Sequence, residues 1–240
     1  MPLFYTPNID GTIGSEYLLN EEESNHCVRV LRLRAGDAVH LTDGRGMLLR
    51  ASVALAEPKG SLLQIEERFD RWEERPYYLH LAVAPTKNPD RYEWMVEKAT
   101  EVGVDEITPL ICARSERKVF KTDRLERIAV SAMKQSLKAY LPVIHPATPF
   151  DELINRPFEG TKMIAHCGAG ERMALDEVLA LTEQYGCVRR FLILIGPEGD
   201  FCPNEVEQAK GFIPIHLGTS RLRTETAGVA AVMGTYLFAH

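Results

Sequence analysis

Residues 191–201 read FLILIGPEGDF, and residues 213–227 read IPIHLGTSRLRTETA. Each stretch begins with a short apolar run of the kind typical of a buried strand and continues into a glycine-containing loop. Upstream, Tyr78–Ala84 predicts a strand, Asp90–Val102 a helix and Ile107–Ile111 another strand. Fully apolar strands that alternate with helices predict a parallel sheet covered on both faces. The expected fold class is α/β.

The first seventy or so residues predict a different architecture, a small and mostly β domain. One helix is expected at Glu21–Leu33, with Asn20 as its cap and Glu23 completing a capping box. Three strands are expected at Ala38–Thr42, Met47–Ala56 and Ser61–Phe69. The polar stretch 70–76 ends in proline and is typical of a linker. The prediction is therefore a β domain over residues 1–72 and a mainly parallel α/β domain over residues 73–240.

The other elements of the second domain follow from the same patterns. Four helices and one strand are predicted: Asp123–Leu137, Leu175–Leu181, Asn204–Lys210 and a closing helix from about Glu225, with Met163–His166 as the strand. Helix Asp90–Val102 is expected to begin with a capping box formed by Asp90 and Glu93.

Composition limits the function classes. The chain has 240 residues, 45% of them apolar, and 28 Lys and Arg against 34 Asp and Glu give a net charge of −6. A protein that binds polyanions with its whole surface is excluded, so nucleic-acid contact requires a local basic patch. The five cysteines lack disulfide or zinc-ligand spacing, and no metal site is expected. The amino terminus lacks the basic and apolar regions of a signal peptide, and the expected location is cytoplasmic.

The ends of the apolar strands are where a ligand site is expected. In open parallel sheets, ligands bind outside the carboxyl ends of strands, and Gly196, Gly199 and Gly218 let backbone amides approach a ligand closely. His166, at a third strand end, can complete the rim. Alternatively, glycine and proline only turn the chain. No Walker loop or dinucleotide fingerprint is present, which disfavours nucleoside-triphosphate and nicotinamide chemistry.

Four motifs in order carry a resemblance to a known family. They are HCVRVLR at residues 26–32, PTK with EWMVEKATEVGV between residues 85 and 104, IGPEGDF and LGTSRLRTETA. The chain resembles the RsmE family of 16S rRNA uridine-N3 methyltransferases, of the SPOUT class. Asp200 departs from the family's usual glycine, and Thr219-Ser220 replace Pro-Arg.

The resemblance implies a PUA-like β-barrel RNA-binding domain, a trefoil-knotted methyltransferase domain, S-adenosyl-L-methionine as cofactor, 16S rRNA in the assembled small ribosomal subunit as partner, and a homodimer. Small residues in the last helix also favour dimerisation. Two alternatives stay open: another SPOUT RNA methyltransferase with a different target base, and a non-catalytic RNA-binding factor in ribosome assembly.

The strand ends and the resemblance together predict the site residues. Cofactor contacts are expected at His166, Ile195, Gly196, Pro197, Glu198, Gly199, Leu217, Gly218, Leu222, Arg223, Thr224 and Ala227. Arg223 can stabilise an anionic uracil, and Glu225 or Glu198 can accept its proton. For Glu225 the alternative is that a glutamate at the start of a helix only complements the helix dipole.

Basic residues are concentrated in two segments. Residues 114–138 contain eight basic and three acidic residues, and residues 28–50 contain five arginines and two aspartates. Such patches can follow a phosphate backbone, although they can also be ordinary solvated helix faces. The predicted RNA-binding residues are Arg29, Arg32, Arg34, Lys87, Arg114, Arg117, Lys118 and Lys134.

Overall fold

The structure, a computed structural model, describes residues 1–168 and 170–239. The chain divides into two compact units, of which the first comprises Met1–Glu74 and Met133–Leu141 and the second comprises Arg75–Ala132 and the residues from Pro142 onward. The first division lies close to the expected linker. The return of Met133–Leu141 to the first unit is a tertiary arrangement that no local sequence pattern indicates.

The first unit is built on a five-stranded sheet. Its strands are β1 (Leu3–Tyr5), β2 (Glu16–Leu18), β3 (Ala38–Thr42), β4 (Leu48–Leu55) and β5 (Leu62–Phe69). They lie in the order β1-β3-β4-β5-β2, with β1 parallel to β3 and the other pairs antiparallel. Alternating residues of β3, β4 and β5 are buried together in one apolar core.

The turn between β3 and β4 is formed by two glycines and an aspartate. Gly44 and Gly46 adopt φ values of 74° and 100°, which glycine tolerates without steric cost. The Asp43 Oδ1 atom accepts hydrogen bonds from the backbone N–H groups of Arg45 at 2.8 Å and Met47 at 3.2 Å. Side-chain capping by Asp43 and the two glycines therefore explain where the hairpin turns.

The helix of the first unit is shorter than predicted. Helix α1 (Glu21–Asn25) continues into a π-helical turn over His26–Val30. Arg32 then has a φ of 56°, a left-handed conformation that a helix cannot contain. The helix expected to run to Leu33 is therefore wrong in its last turn, and Arg29 and Arg32 do not lie on one continuous helix.

The second unit is built on an eight-stranded sheet in which every pair is parallel, as the sequence predicts. Its strands are β6 (Tyr78–Val83), β7 (Glu106–Ile111), β8 (Val143–Ile144), β9 (Thr148–Pro149), β10 (Thr161–Ala165), β11 (Met173–Ala174), β12 (Arg190–Ile195) and β13 (Ile213–His216). Their order is β11-β13-β10-β12-β6-β7-β8, and β9 pairs with β7.

Six helices among the described residues accompany this sheet or follow its strands. They are α2 (Pro89–Val102), α3 (Asp123–Gln135), α4 (Phe150–Ile154), α5 (Leu175–Gln184), α6 (Pro203–Gln208) and α7 (Thr224–Phe238). In the part of the chain that the structure describes, no helix is both long and apolar enough to cross a membrane.

The start of α2 differs from the prediction. The residue that caps it is Asn88, whose Oδ1 atom accepts a hydrogen bond from the Asp90 N–H at 3.0 Å, and Pro89 occupies the first turn. The predicted Asp90–Glu93 capping box is therefore wrong, because proline at the first position moves the cap two residues upstream. Gly103 ends the helix with a φ of 124°, as expected of a glycine stop.

Two glycines let α7 pack closely on its neighbours. A Cβ atom on Gly228 would lie 3.0 Å from Met95 Cγ of α2, and one on Gly234 would lie 2.8 Å from Leu175 Cδ2 of α5. Ala231, between them, is fully buried. Three of the small residues of this helix therefore serve packing within the chain.

Candidate active site

Three neighbouring strands of the second unit end at one edge of the sheet. Strand β10 ends at Ala165, β12 at Ile195 and β13 at His216, and β10 lies between the other two. Because the strands are parallel, the loops after their carboxyl ends meet. This is the edge at which the sequence predicts a ligand site.

The three loops and the first turn of α7 enclose a cleft of about 330 Å³, which is within the range of small-molecule sites. Of the residues predicted to contact a cofactor, these line the cleft: His166, Ile195, Gly196, Pro197, Glu198, Leu217, Gly218, Leu222, Arg223, Thr224 and Ala227. Gly199 lies just outside this lining, and its carbonyl accepts a hydrogen bond from Arg114 Nη1 at 2.7 Å.

Further lining residues were missed by the sequence reasoning. They are Ala165, Cys167, Arg172, Asp200, Ile215, His216, Ser220 and Arg221. Most of them adjoin predicted residues at the same strand ends, so a wider window around each strand end would have included them. Arg172 is different, because it lies at the far end of the loop after β10 and no motif marks it.

Asp200 connects two of the loops. Its Oδ2 atom accepts a hydrogen bond from the Cys167 N–H at 2.9 Å, and its Oδ1 atom accepts one from the Phe201 N–H at 2.8 Å. Its φ is 62°, a conformation that glycine adopts freely and that aspartate tolerates better than most residues. Asp200 therefore adopts a backbone conformation that favours glycine and adds a link between the loops.

His166 faces the cleft as a buried imidazole. Burial lowers its pKa, an effect that Asp200 opposes and Arg172 reinforces. Its Nδ1 atom accepts a hydrogen bond from the Gly168 N–H at 3.1 Å, and Arg172 Nη1 donates to its backbone carbonyl at 2.6 Å. An unprotonated Nδ1 is what this arrangement requires, so the ring is neutral at neutral pH.

The two glycines of the cleft satisfy different needs. A Cβ atom on Gly196 would lie 3.0 Å from the ring of Phe201, and the Gly196 carbonyl accepts a hydrogen bond from Thr224 Oγ1 at 3.1 Å. Around Gly218 there is open space, but its φ of 109° disfavours any other residue. Close packing therefore requires the first glycine, and backbone conformation requires the second.

The three catalytic candidates are not equivalent in the structure. Arg223 and Glu198 line the cleft, and a Glu198 carboxylate oxygen accepts a hydrogen bond from the Lys87 N–H at 3.1 Å. Glu225 is 7% exposed and lies outside the lining. Its carboxylate is 3.8 Å from Arg91 Nε, which is consistent with the helix-start role that the sequence left open.

Basic residues of the second unit collect beside the loop after β12. Arg114 binds that loop through the Gly199 carbonyl, and Arg117 Nε donates to the Lys87 carbonyl at 3.1 Å. Lys87 itself is held to Glu198 through its backbone N–H, and Lys118 is exposed on the same segment. Predicted RNA-binding residues from two distant segments are thus brought to one side of the cleft.

In the first unit, the predicted RNA-binding residues divide into two groups. Arg29, Arg32 and Arg34 are exposed. Lys134, by contrast, is in an ion pair, with its Nζ atom 2.6 Å and 2.9 Å from the two carboxylate oxygens of Glu23. Its side chain is 22% exposed. The structure therefore gives Lys134 a role inside the first unit, where it is less available to a phosphate.

Comparison with known proteins gives consistent matches over most of the chain. Residues 73–234 match the RNA methyltransferase domain family, and residues 19–66 match the RNA methyltransferase PUA domain family. The ribosomal RNA small subunit methyltransferase E of Buchnera aphidicola is 30% identical over 232 residues, covering 93% of this chain and 88% of that protein.

Two solved structures share the fold along nearly the full length. A probable rRNA methyltransferase from Porphyromonas gingivalis superposes with a TM-score of 0.86 at 40% identity, covering 100% of this chain and 98% of that one. The ribosomal RNA small subunit methyltransferase E of Neisseria gonorrhoeae, bound to S-adenosyl methionine, also gives 0.86, at 28% identity and with 99% and 97% covered.

Proposed function

Because the chain belongs to the ribosomal RNA small subunit methyltransferase E family, we propose that it transfers a methyl group from S-adenosylmethionine to N3 of a uridine in 16S rRNA. The observation that supports this best is the cleft, where three parallel strands end and where nearly all the predicted cofactor residues lie together. The uridine N3 target comes from the family resemblance of the sequence motifs.

The cleft fits S-adenosylmethionine by its lining. The loops after β12 and β13 line the cleft and can offer backbone amides to polar groups of the cofactor. The side chains of Leu217 and Leu222 offer apolar surface to its adenine ring. When bound, S-adenosylmethionine supplies an electrophilic methyl group. Asp200 and Thr224 hold the surrounding loops in place through their hydrogen bonds to Cys167 and Gly196.

The chain's own contribution is positioning and charge. Methylation at N3 requires loss of the imide proton and places negative charge on the uracil. Arg223, in the cleft, can stabilise that charge, and Glu198, which also lines the cleft, can accept the proton. Glu225 is assigned a positioning role at the start of α7, because it is buried beside Arg91.

The proposed RNA surface has a part in each unit. In the second unit, Arg114, Arg117 and Lys87 are held beside the loop after β12 and Lys118 is exposed. In the first unit, Arg29, Arg32 and Arg34 are exposed. Replacing one phosphate-binding side chain with alanine is expected to reduce the slope of log affinity against log salt by about one. The substrate proposed is the assembled small subunit in the cytoplasm.

A homodimer is proposed from the exposed end of α7. Met233, Leu237 and Phe238 are 39%, 51% and 55% exposed, and a cluster of exposed apolar side chains is typical of an interaction surface. Light scattering should give about 54 kDa, twice the chain mass of 27.0 kDa. Leu237→Glu should shift this toward one chain, whereas Val119→Glu, at an equally apolar and more exposed position, should not.

The deciding experiment is methylation of isolated small subunits that lack the modification. Wild-type protein with labelled S-adenosylmethionine should add one methyl, mapped by mass spectrometry to N3 of a uridine in 16S rRNA. A methyl on another base would indicate a methyltransferase with a different target. Saturable RNA binding with no transfer would indicate a non-catalytic assembly factor.

A further inference from the structure

A second group of polar side chains lies in the sheet away from the cleft. His80 is the third residue of β6, Glu106 is the first residue of β7, and His145 directly follows β8. In the strand register, His80 is paired with Glu106, and Glu106 is paired with Val143. Val143 is in β8, the two-residue strand that His145 follows. His80 and Glu106 therefore lie in the amino-terminal halves of β6 and β7, whereas the cleft is at the carboxyl ends of β10, β12 and β13.

The three side chains offer ligand atoms at close range. The Glu106 Oε2 atom is 2.6 Å from His145 Nε2 and 3.4 Å from His80 Nδ1, and one atom from each residue lies within 4.8 Å of the others. Ligands at the usual distances from Zn²⁺ in a tetrahedral site are roughly 3.3 Å apart. The distance from Glu106 Oε2 to His80 Nδ1 matches this spacing, whereas Glu106 Oε2 and His145 Nε2 are closer together, so an ion would replace their hydrogen bond.

Neighbouring groups already orient two of these ligands. His80 Nε2 is 2.7 Å from Thr108 Oγ1, and the Tyr78 hydroxyl donates to Glu106 Oε1. These hydrogen bonds use His80 Nε2 and Glu106 Oε1. The other atom of each side chain, His80 Nδ1 and Glu106 Oε2, faces the space between the three residues. Second partners of this kind are what fix the orientation of ligands in metal sites.

Burial and charge also suit a cation. His80 is 7% exposed and cannot turn away, while the side chains of Glu106 and His145 are 25% and 29% exposed, which leaves a path for an ion and for water as a further ligand. Glu106 supplies the negative charge. The nearby cation Arg156 is in an ion pair with Glu152.

We propose that His80, Glu106 and His145 bind one divalent transition-metal ion, with Zn²⁺ as the preferred ion. Two imidazoles and one carboxylate match Zn²⁺ and its neighbours in the first row, and they do not match Mg²⁺ or Ca²⁺, which prefer oxygen ligands alone. The ion links β6 and β7 to the segment that follows β8. The role of the ion is structural, because none of the three ligands lines the cleft.

The test uses the full-length chain after treatment with a chelator, titrated with Co²⁺ and followed by absorption, and with Zn²⁺ followed by calorimetry. We expect one ion per chain, a Co²⁺ spectrum without sulfur-to-metal charge transfer, and a higher midpoint of thermal unfolding with Zn²⁺. His145→Gln, at the more exposed ligand, should weaken binding by more than about tenfold. His40→Gln, in the first unit, is the matched control.

Thr108→Val keeps the shape of the buried threonine and removes only the second partner of His80, so it should also weaken binding, by about tenfold. Three results would overturn the proposal. They are the absence of saturable binding in the wild type, equal affinity in the wild type and His145→Gln, and a thiolate spectrum that alkylation of the exposed Cys167 and Cys187 abolishes. The first of these would show that the cluster is a hydrogen-bond network only.

Discussion

The two ends of the parallel sheet carry polar groups that are assembled in different ways. The cleft at the carboxyl ends is made of loops that follow strands directly, so its residues form contiguous runs such as Ile195–Glu198. The cluster at the other end joins side chains from separate strands, and 39 residues separate Glu106 from His145. A site made of loops leaves a motif in the sequence, whereas a site made across strands leaves none.

The largest effect is expected from removing charge in the cleft. Arg223→Ala should lower the rate of methyl transfer to small subunits about 10²- to 10³-fold, as loss of one group that stabilises developing charge commonly does. Affinity for S-adenosylhomocysteine, measured by calorimetry, should change much less. Arg221→Ala, in the same loop, is the control, and an equal loss in both variants would contradict the assignment to Arg223.

The loop link at Asp200 allows a finer test of the cleft. Asp200→Ala removes the acceptor for the Cys167 N–H and should weaken binding of S-adenosylhomocysteine about tenfold, as expected for a charge-assisted hydrogen bond. Asp200→Gly loses the same acceptor but relieves the left-handed backbone, so it should be about 1 kcal/mol more stable to unfolding than Asp200→Ala. Calorimetry and urea unfolding measure the two effects, and equal stabilities would refute the backbone argument.

A double variant tests whether the cleft and the group formed by His80, Glu106 and His145 are energetically independent. Asp200 and His145 share no partner among the described residues, so Asp200→Ala and His145→Gln should change the free energy of unfolding additively, within about 0.5 kcal/mol. His145→Gln alone should leave affinity for S-adenosylhomocysteine unchanged. A larger coupling energy in urea unfolding would mean that the two ends of the sheet are not independent.

The smallest effect is expected from pH. Because burial lowers the pKa of His166, the unfolded chain takes up a proton at about pH 6.5 while the folded chain resists it. The contribution of His166 to the free energy of unfolding is therefore present above that pH and is lost as the pH falls below it. Urea unfolding at several pH values should show a steeper acid loss for wild type than for His166→Gln, and parallel curves would refute this.

The parallel sheet and most of the cleft were predictable, since apolar strands and glycine loops are local signals. Strand Ala38–Thr42 was predicted to the residue. The two- and three-residue strands, such as Leu3–Tyr5 and Val143–Ile144, were not predicted, because such segments are too short to show a period. They depend on pairing partners far along the chain.

The errors have the same physical origin. The helix expected to reach Leu33 ends early through a π-helical turn and the left-handed Arg32, neither of which propensity predicts. The ion pair of Lys134 with Glu23 was likewise not predicted, because the two residues are 111 positions apart in the sequence. Contacts between distant segments decide such cases, and a single sequence does not display them.

Successive turns of helix α7 have different roles in the structure. Its first turn lines the cleft, the two glycines farther along lie close against Met95 and Leu175, and its last turn is apolar and exposed. In a saturation-mutagenesis survey, this helix should therefore be among the least tolerant segments, and the reasons should differ from turn to turn. The restriction arises because few residue types satisfy both a place in the cleft and close packing on α2 and α5 within the fifteen positions of this helix.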